Sequence, residues 1–106
     1  MRRFAALRRR ADFGRLKRSG RRTTTPCVTI YTTPAAPGDS VSLVGITVSA
    51  SIGKAVVRNK LRRRIAAIVN ELLGPSRVRI LIVPRPSAAA LTFGELRAEL
   101  CSLVPR

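Results

Sequence analysis

Between Arg58 and Arg64 five of seven residues are cations (Arg58, Lys60, Arg62, Arg63 and Arg64), and no acid follows until Glu71. Such side chains hold phosphate by charge and by hydrogen bonds, arginine through a planar fork. Asn59 lies inside the run. It can donate to and accept from RNA, or fix its neighbours' geometry. Lys54 follows Gly53 just upstream, where a backbone lacking Cβ can approach a ligand closely. A helix beginning here would also offer free N–H groups to a phosphate. It would pay for this in stability. Like charges at i,i+4, such as Arg58/Arg62 and Lys60/Arg64, cost about 0.2–0.5 kcal/mol each, and cations in the first turns oppose the helix dipole. A local rule broken without local benefit points to a binding surface. Arg8, Arg9, Arg10, Arg15, Lys17, Arg18, Arg21 and Arg22 form a second basic set, of which Arg9 and Arg10 are candidate RNA contacts. Phe13 suits a core position or a stacking platform. Tyr31, near Thr29 and Thr33, suits stacking on a base or ordinary packing.

Other chemistries lack their residues. The chain has no histidine, and its two cysteines, Cys27 and Cys101, form no Cys-x-x-Cys pair. The usual zinc patterns and every histidine-based catalytic constellation are therefore missing. Five scattered acids make no magnesium cage. The spaced glycines and Gly-Lys-Ser/Thr of a nucleotide loop are absent. Both cysteines are expected as buried thiols.

The 106 residues suit one domain with a thin core, 45% of them being hydrophobic. The net charge is +16, from 21 Lys or Arg against 5 Asp or Glu. Nucleic acid is the commonest partner for such a surface, and an anionic membrane the second. Eighteen of the cations are Arg, which favours nucleic acid. The start of the chain has no apolar stretch suited to a signal peptide, and no segment approaches the ~20 apolar residues of a membrane span. The expected location is cytoplasmic.

The elements that must position these residues follow from pattern. Residues 1–9 are expected as a basic tail, and 10–106 as a single RNA-binding α/β domain. A short helix is expected over 10–19, ended by Gly20. Thr23 to Thr33 alternates as a strand, Pro34 to Asp39 turns, and Val41 to Ala50 is a second strand. Residues 55–73 form the clearest helix, with Val57, Leu61, Ile65, Ile68 and Leu72 as its apolar stripe. Val78 to Val83 is nearly continuous in apolar character, which predicts a central strand covered on both faces. Thr92 and Glu95 form a capping box for a last helix, whose buried stripe is Phe93, Leu96, Leu100 and Leu103. The fold class is α+β, an α/β sandwich with about four strands and three helices.

At this level the chain resembles the protein subunit of bacterial ribonuclease P, over about residues 7 to 104. The most specific match is the segment from Gly53-Lys54-Ala55 through Arg58-Asn59-Lys60 to Arg63. Leu7, Asp12-Phe13, Gly20-Arg21, Gly45, Val48-Ser49, Arg85-Pro86, Phe93 and Leu96 support it in order and spacing. The resemblance implies a ribosomal-protein-S5-domain-2-like fold with a left-handed βαβ crossover, against the usual handedness. It implies an accessory subunit of an endoribonuclease whose catalyst is a large RNA, cutting precursor tRNA to its mature 5′ end. Lys54, Arg58, Asn59, Lys60, Arg62 and Arg63 would face the catalytic RNA, and Arg64 lies in the same run. Phe13, Tyr31, Thr47 and Ser49 would line or border a cleft for the single-stranded 5′ leader. No catalytic residue, protein-bound metal, cofactor, membrane or small-molecule substrate is expected, and Mg2+ would belong to the RNA. The family usually has a basic residue at Leu43, a Lys pair at Ala50-Ser51 and an acid near Arg79, so the leader contacts are where this chain departs. The alternative is a small basic ribosomal protein that binds rRNA structurally. A DNA-binding regulator would need a recognition helix after a short turn, and a self-contained nuclease would need clustered carboxylates or histidine.

Overall fold

The computed structural model describes residues 2–105. Five strands form one mixed sheet: β1 (Phe4–Ala6), β2 (Arg21–Thr24), β3 (Val28–Pro34), β4 (Ser42–Ile46) and β5 (Val78–Pro84), in the order β1-β4-β5-β3-β2. Three α-helices cover it: α1 (Arg10–Ser19), α2 (Ala55–Leu72) and α3 (Phe93–Cys101). β5 lies at the centre, antiparallel to β3 and parallel to β4. The chain leaves β4, passes through α2 and returns as β5, so these parallel neighbours and their helix form a βαβ unit.

Alternation along β5 divides the core. Ile80 and Ile82 join Val28, Ile30 and Val44 under Leu61, Ile65, Ile68 and Val69 of α2 and Leu96 and Leu100 of α3. Leu81 points the other way and packs with Leu7 and Leu16, beside Phe13, Tyr31, Leu43 and Val83. The predicted central strand, covered on both faces, is thus β5, and the architecture is a sandwich of α1, sheet, and α2 with α3.

The sheet has five strands rather than about four. Phe4–Ala6, inside the expected tail of residues 1–9, pairs with β4 in parallel. Phe4 and Leu7 are buried, Arg3 N–H donates to Asn70 Oδ1, and Arg3 Nη1 donates to the Leu73 carbonyl at 3.1 Å. Three residues are too few to display alternation among arginines. The expected strand Thr23 to Thr33 is two strands. A turn at Thr25 breaks it, where Thr25 N–H donates to the Val28 carbonyl and Val28 N–H to Thr25 Oγ1. β4 stops at Ile46, leaving Thr47 to Ser49 outside the ladder.

The capping box of α3 forms as predicted: Glu95 N–H donates to Thr92 Oγ1 at 3.1 Å, and Thr92 N–H to Glu95 Oε1 at 2.8 Å. Two residues of the expected stripes are not buried, and a third, Leu103, lies half-buried beyond the end of α3. Phe93 is 42% exposed and Val57 38% exposed, each in the first turn of its helix. Gly20 ends α1 as expected, but in an extended conformation rather than a left-handed one. Its reason is space: a Cβ there would stand 2.4 Å from the Leu16 carbonyl oxygen. Cys27 is buried, Cys101 only half-buried, and no disulfide joins them.

Candidate RNA interface

α2 presents its cations as the heptad arithmetic requires. Leu61, Ile65, Ile68 and Leu72 turn one face into the core, so Lys54, Asn59, Lys60, Arg62 and Arg63 are left exposed. Lys54 is the N-cap residue, no side chain caps the helix, and its first turn carries no acid. Gly53 precedes it at φ 149°, a backbone value that side-chain-bearing residues rarely adopt. The predicted arrangement of an uncompensated cationic helix start is therefore present.

Within the cluster the roles differ. Asn59 Oδ1 accepts from Arg62 Nη1 at 2.9 Å. The amide so fixes one arginine's direction, the second of the two roles expected for it. Arg58 is half-buried, and its enclosed Nε has no acceptor. Arg64 is also half-buried, with Nη1 3.4 Å from the Leu91 carbonyl, which turns it towards the connection before α3. Arg9 and Arg10 are exposed at the start of α1, Arg9 as its N-cap.

Phe13 and Tyr31 both pack against the Leu7, Leu16 and Leu81 cluster on the opposite face of the sheet. Tyr31 of β3, Leu81 of β5 and Gly45 of β4 stand in one row, and Phe13 of α1 lies over Gly45. A cavity of about 310 Å3 joins this corner to α2, lined by Phe13, Gly45 and Ile46 together with Arg2, Arg62 and Arg63. Arg2 is stacked on Phe4, its guanidinium 4.9 Å from the ring centre. Thr47 lies just beyond β4, half-buried, its N–H donating to the Ile82 carbonyl at 3.0 Å. Ser49 is exposed and shares a 2.7 Å hydrogen bond with Ser51, in the turn leading to Lys54. The structure thus puts Phe13 and Tyr31 on one face against one cluster, with Ser49 nearer to the start of α2.

Two arginines were not singled out for what they do. Arg85 donates through Nη1 to the Thr25 and Pro26 carbonyls and through Nη2 to Thr24 Oγ1 and Thr29 Oγ1, tying β5's end to the β2–β3 turn. Arg79 binds Asp39 by two hydrogen bonds, at 2.9 and 3.1 Å, and Asp12 of α1 at 3.3 Å. It fastens α1 and the β3–β4 loop to the sheet. Leu43 and Arg79, two of the departures, are register partners on β4 and β5. Arg79 thus stands one strand over from Leu43, paired with two carboxylates. Only long-range pairing could reveal this, because the partners lie 67 and 40 residues away in sequence.

Four carboxylates, Asp39, Glu71, Glu95 and Glu99, are held in their charged form. The Arg79 hydrogen bond, then the Ala36 N–H, lowers the Asp39 pKa. Thr25 Oγ1, then the Cys27 contact, does so for Glu99, and Arg97 for Glu71. The Thr92 capping contacts lower Glu95. A carboxylate with a depressed folded pKa adds stability that is fully present above its unfolded value, here 3.8 for Asp and 4.5 for Glu, and is lost as pH falls through the folded value. The melting temperature should therefore hold level down to about pH 5 and drop below about pH 4. Glu99→Gln should flatten part of that acid limb. An acid limb identical to wild type in a pH series of thermal melts would contradict the role given to Glu99.

Comparison with known proteins agrees with this geometry. The family profile described as Ribonuclease P matches residues 1–106. The ribonuclease P protein component of Acidothermus cellulolyticus is 38% identical over 102 residues, covering 94% of this chain and 85% of the relative. That of Thermobifida fusca is 38% identical over 104 residues, covering 91% and 71%. Among solved structures, the RNase P protein from Thermotoga maritima superposes with a TM-score of 0.80 at 26% identity, covering 93% of this chain and 94% of that one. A profile matched along the whole chain, two relatives above a third identical, and a shared fold agree: this chain belongs to the ribonuclease P protein family.

Proposed function

We propose that this chain acts as the protein subunit of a ribonuclease P holoenzyme, binding the catalytic RNA through α2 and the 5′ leader of precursor tRNA in the corner between α1 and the sheet. The observation that carries this is the N-terminal half of α2: an exposed, uncapped, acid-free cationic surface made by the segment that resembles the family's signature. Lys54, Arg58, Asn59, Lys60, Arg62 and Arg63 neutralise and position RNA phosphates. Arg9, Arg10 and Arg64 extend that surface. Phe13 and Tyr31 meet the leader, with Thr47 and Ser49 at its border. Phosphate neutralisation strengthens substrate binding and lets magnesium ions settle on the crowded RNA.

Those magnesium ions are assigned to the RNA. Each of the five carboxylates is already engaged within the fold: Asp12 and Asp39 by Arg79, Glu71 by Arg97, Glu95 by the α3 cap, and Glu99 by Thr25 and Cys27. Bond breaking is assigned to the RNA in this reading, and the protein supplies affinity and geometry. Among the described residues no helix is long and apolar enough to cross a membrane. The cytoplasm, where precursor tRNA is made, is the proposed location.

Reconstitution tests the reading. The chain, the catalytic RNA and precursor tRNA are mixed at low magnesium, and 5′ cleavage is followed. Stimulation that grows as magnesium is lowered is expected. No stimulation at any salt concentration would sink it.

A further inference from the structure

The first turn of α2 carries two valines that the fold does not use. Val56 is 79% exposed and Val57 38% exposed. Valine is only a moderate helix former, and a helix start favours acids. Both line a groove of about 270 Å3 between α2 and the 3-10 turn Pro86–Ala90. Leu61, Ala88 and Ala89 complete its apolar lining, and the two alanines are small enough to leave the space open. Lys60 and Arg64, one turn apart, supply the charge. Arg64 is steadied there by the Leu91 carbonyl. No acid lines the groove.

An occupant must be anionic and must also carry a compact apolar face. A nucleotide meets both requirements, with its base for the floor and its phosphates for the cations. Beyond the groove α2 also exposes Arg62 and Arg63, which line the separate cavity beside Phe13, and so wide a cationic surface suits a phosphodiester chain better than a short acidic peptide. We propose that this groove takes one unstacked nucleotide of the catalytic RNA, its base against Val56, Val57 and Ala89 and its phosphates on Lys60 and Arg64. The inference rests on the reading of α2 as the RNA-facing helix. It adds a contact that salt does not weaken to a surface otherwise governed by charge.

Two uncharged substitutions test it. Val56→Thr keeps the branched shape at an exposed site and should fold normally. Ala89→Leu fills the groove. Affinity for the catalytic RNA is measured across a salt series, and base reactivity in the reconstituted holoenzyme is mapped with a methylating probe. Val56→Thr should weaken binding about threefold and Ala89→Leu about tenfold. The salt slope should stay unchanged, because no charge is removed. One base protected in the wild-type complex should become reactive in both variants. Wild-type affinity and protection in Val56→Thr, whatever happens to Ala89→Leu, would overturn the groove. If Lys60→Ala still flattens the salt slope in that case, the RNA-facing reading of α2 stands alone; if it does not, both fall. Unchanged RNA binding with loss of binding to a polyglutamate peptide would give the groove to an acidic protein segment and overturn the nucleotide.

Discussion

Replacing Lys60, Arg62 and Arg63 together by alanine should weaken binding to the catalytic RNA by about a hundredfold near physiological salt, at roughly 1 kcal/mol per lost phosphate contact. The slope of log affinity against log salt should fall in magnitude by about 2 to 3, since each neutralised phosphate contributes about 0.7–0.9. Folding should not suffer. All three side chains are exposed, alanine is the better helix former, and like-charge repulsion along α2 is relieved. The melting temperature of the free protein should therefore stay level or rise while RNA affinity falls. These opposite movements separate a binding surface from a structural one, which would lose both. Asn59 offers a finer test, because its Oδ1 holds Arg62. Asn59→Ala should weaken RNA binding while leaving the number of cations unchanged. A filter-binding series from low to high salt measures both quantities. An unchanged slope in the triple variant would remove α2 from the interface.

Gly45→Val should injure the leader corner while sparing the RNA-facing helix. A Cβ at Gly45 would lie 2.6 Å from the Phe13 ring and 3.4 Å from Leu7 Cβ. Phe13 must swing aside, and α1 must shift with the further bulk of valine. Overpacking of this kind costs about 1–3 kcal/mol. Affinity for precursor tRNA with a full leader should fall in the reconstituted holoenzyme, whereas affinity of the protein for the catalytic RNA should not. A double variant with Phe13→Ala makes room for the new side chain. It should recover stability relative to Gly45→Val but not leader binding, and that non-additivity is the signature of direct contact. Recovery of leader binding in the double variant would show that Phe13 does not meet the leader. Thermal melts and substrate titrations with long-leader and leaderless precursors separate these outcomes.

The Arg79 clamp explains why the corner is sensitive. Its guanidinium holds both Asp12 of α1 and Asp39 of the β3–β4 loop, so α1 is fixed over Gly45 by charge as well as by packing. No basic side chain stands at Leu43 to meet a leader phosphate. The arrangement uses the Arg79 cation for geometry, paired with two carboxylates.

Sequence alone determined the elements that local rules govern. The helix from Ala55, the capping box at Thr92 and Glu95, the central strand around Ile80 to Ile82 and the cationic run on α2 all followed from periodicity, capping chemistry and charge, which act over a few residues. What tertiary structure decided depends on partners distant in the chain. Phe4–Ala6 became a strand only because β4 offered an edge. Val57 and Phe93 were left exposed in the first turns of their helices, because burial depends on what the fold sets beneath a position and not on periodicity alone. Gly20 and Gly45 are glycines because a carbonyl and a ring, respectively, occupy the space of a Cβ. The cationic helix is therefore a property of sequence. The corner holding Phe13, the clamp at Arg79 and the groove beside Val56 exist only once the sheet has brought α1, α2 and β5 together, because each is built from long-range contacts that no local pattern encodes.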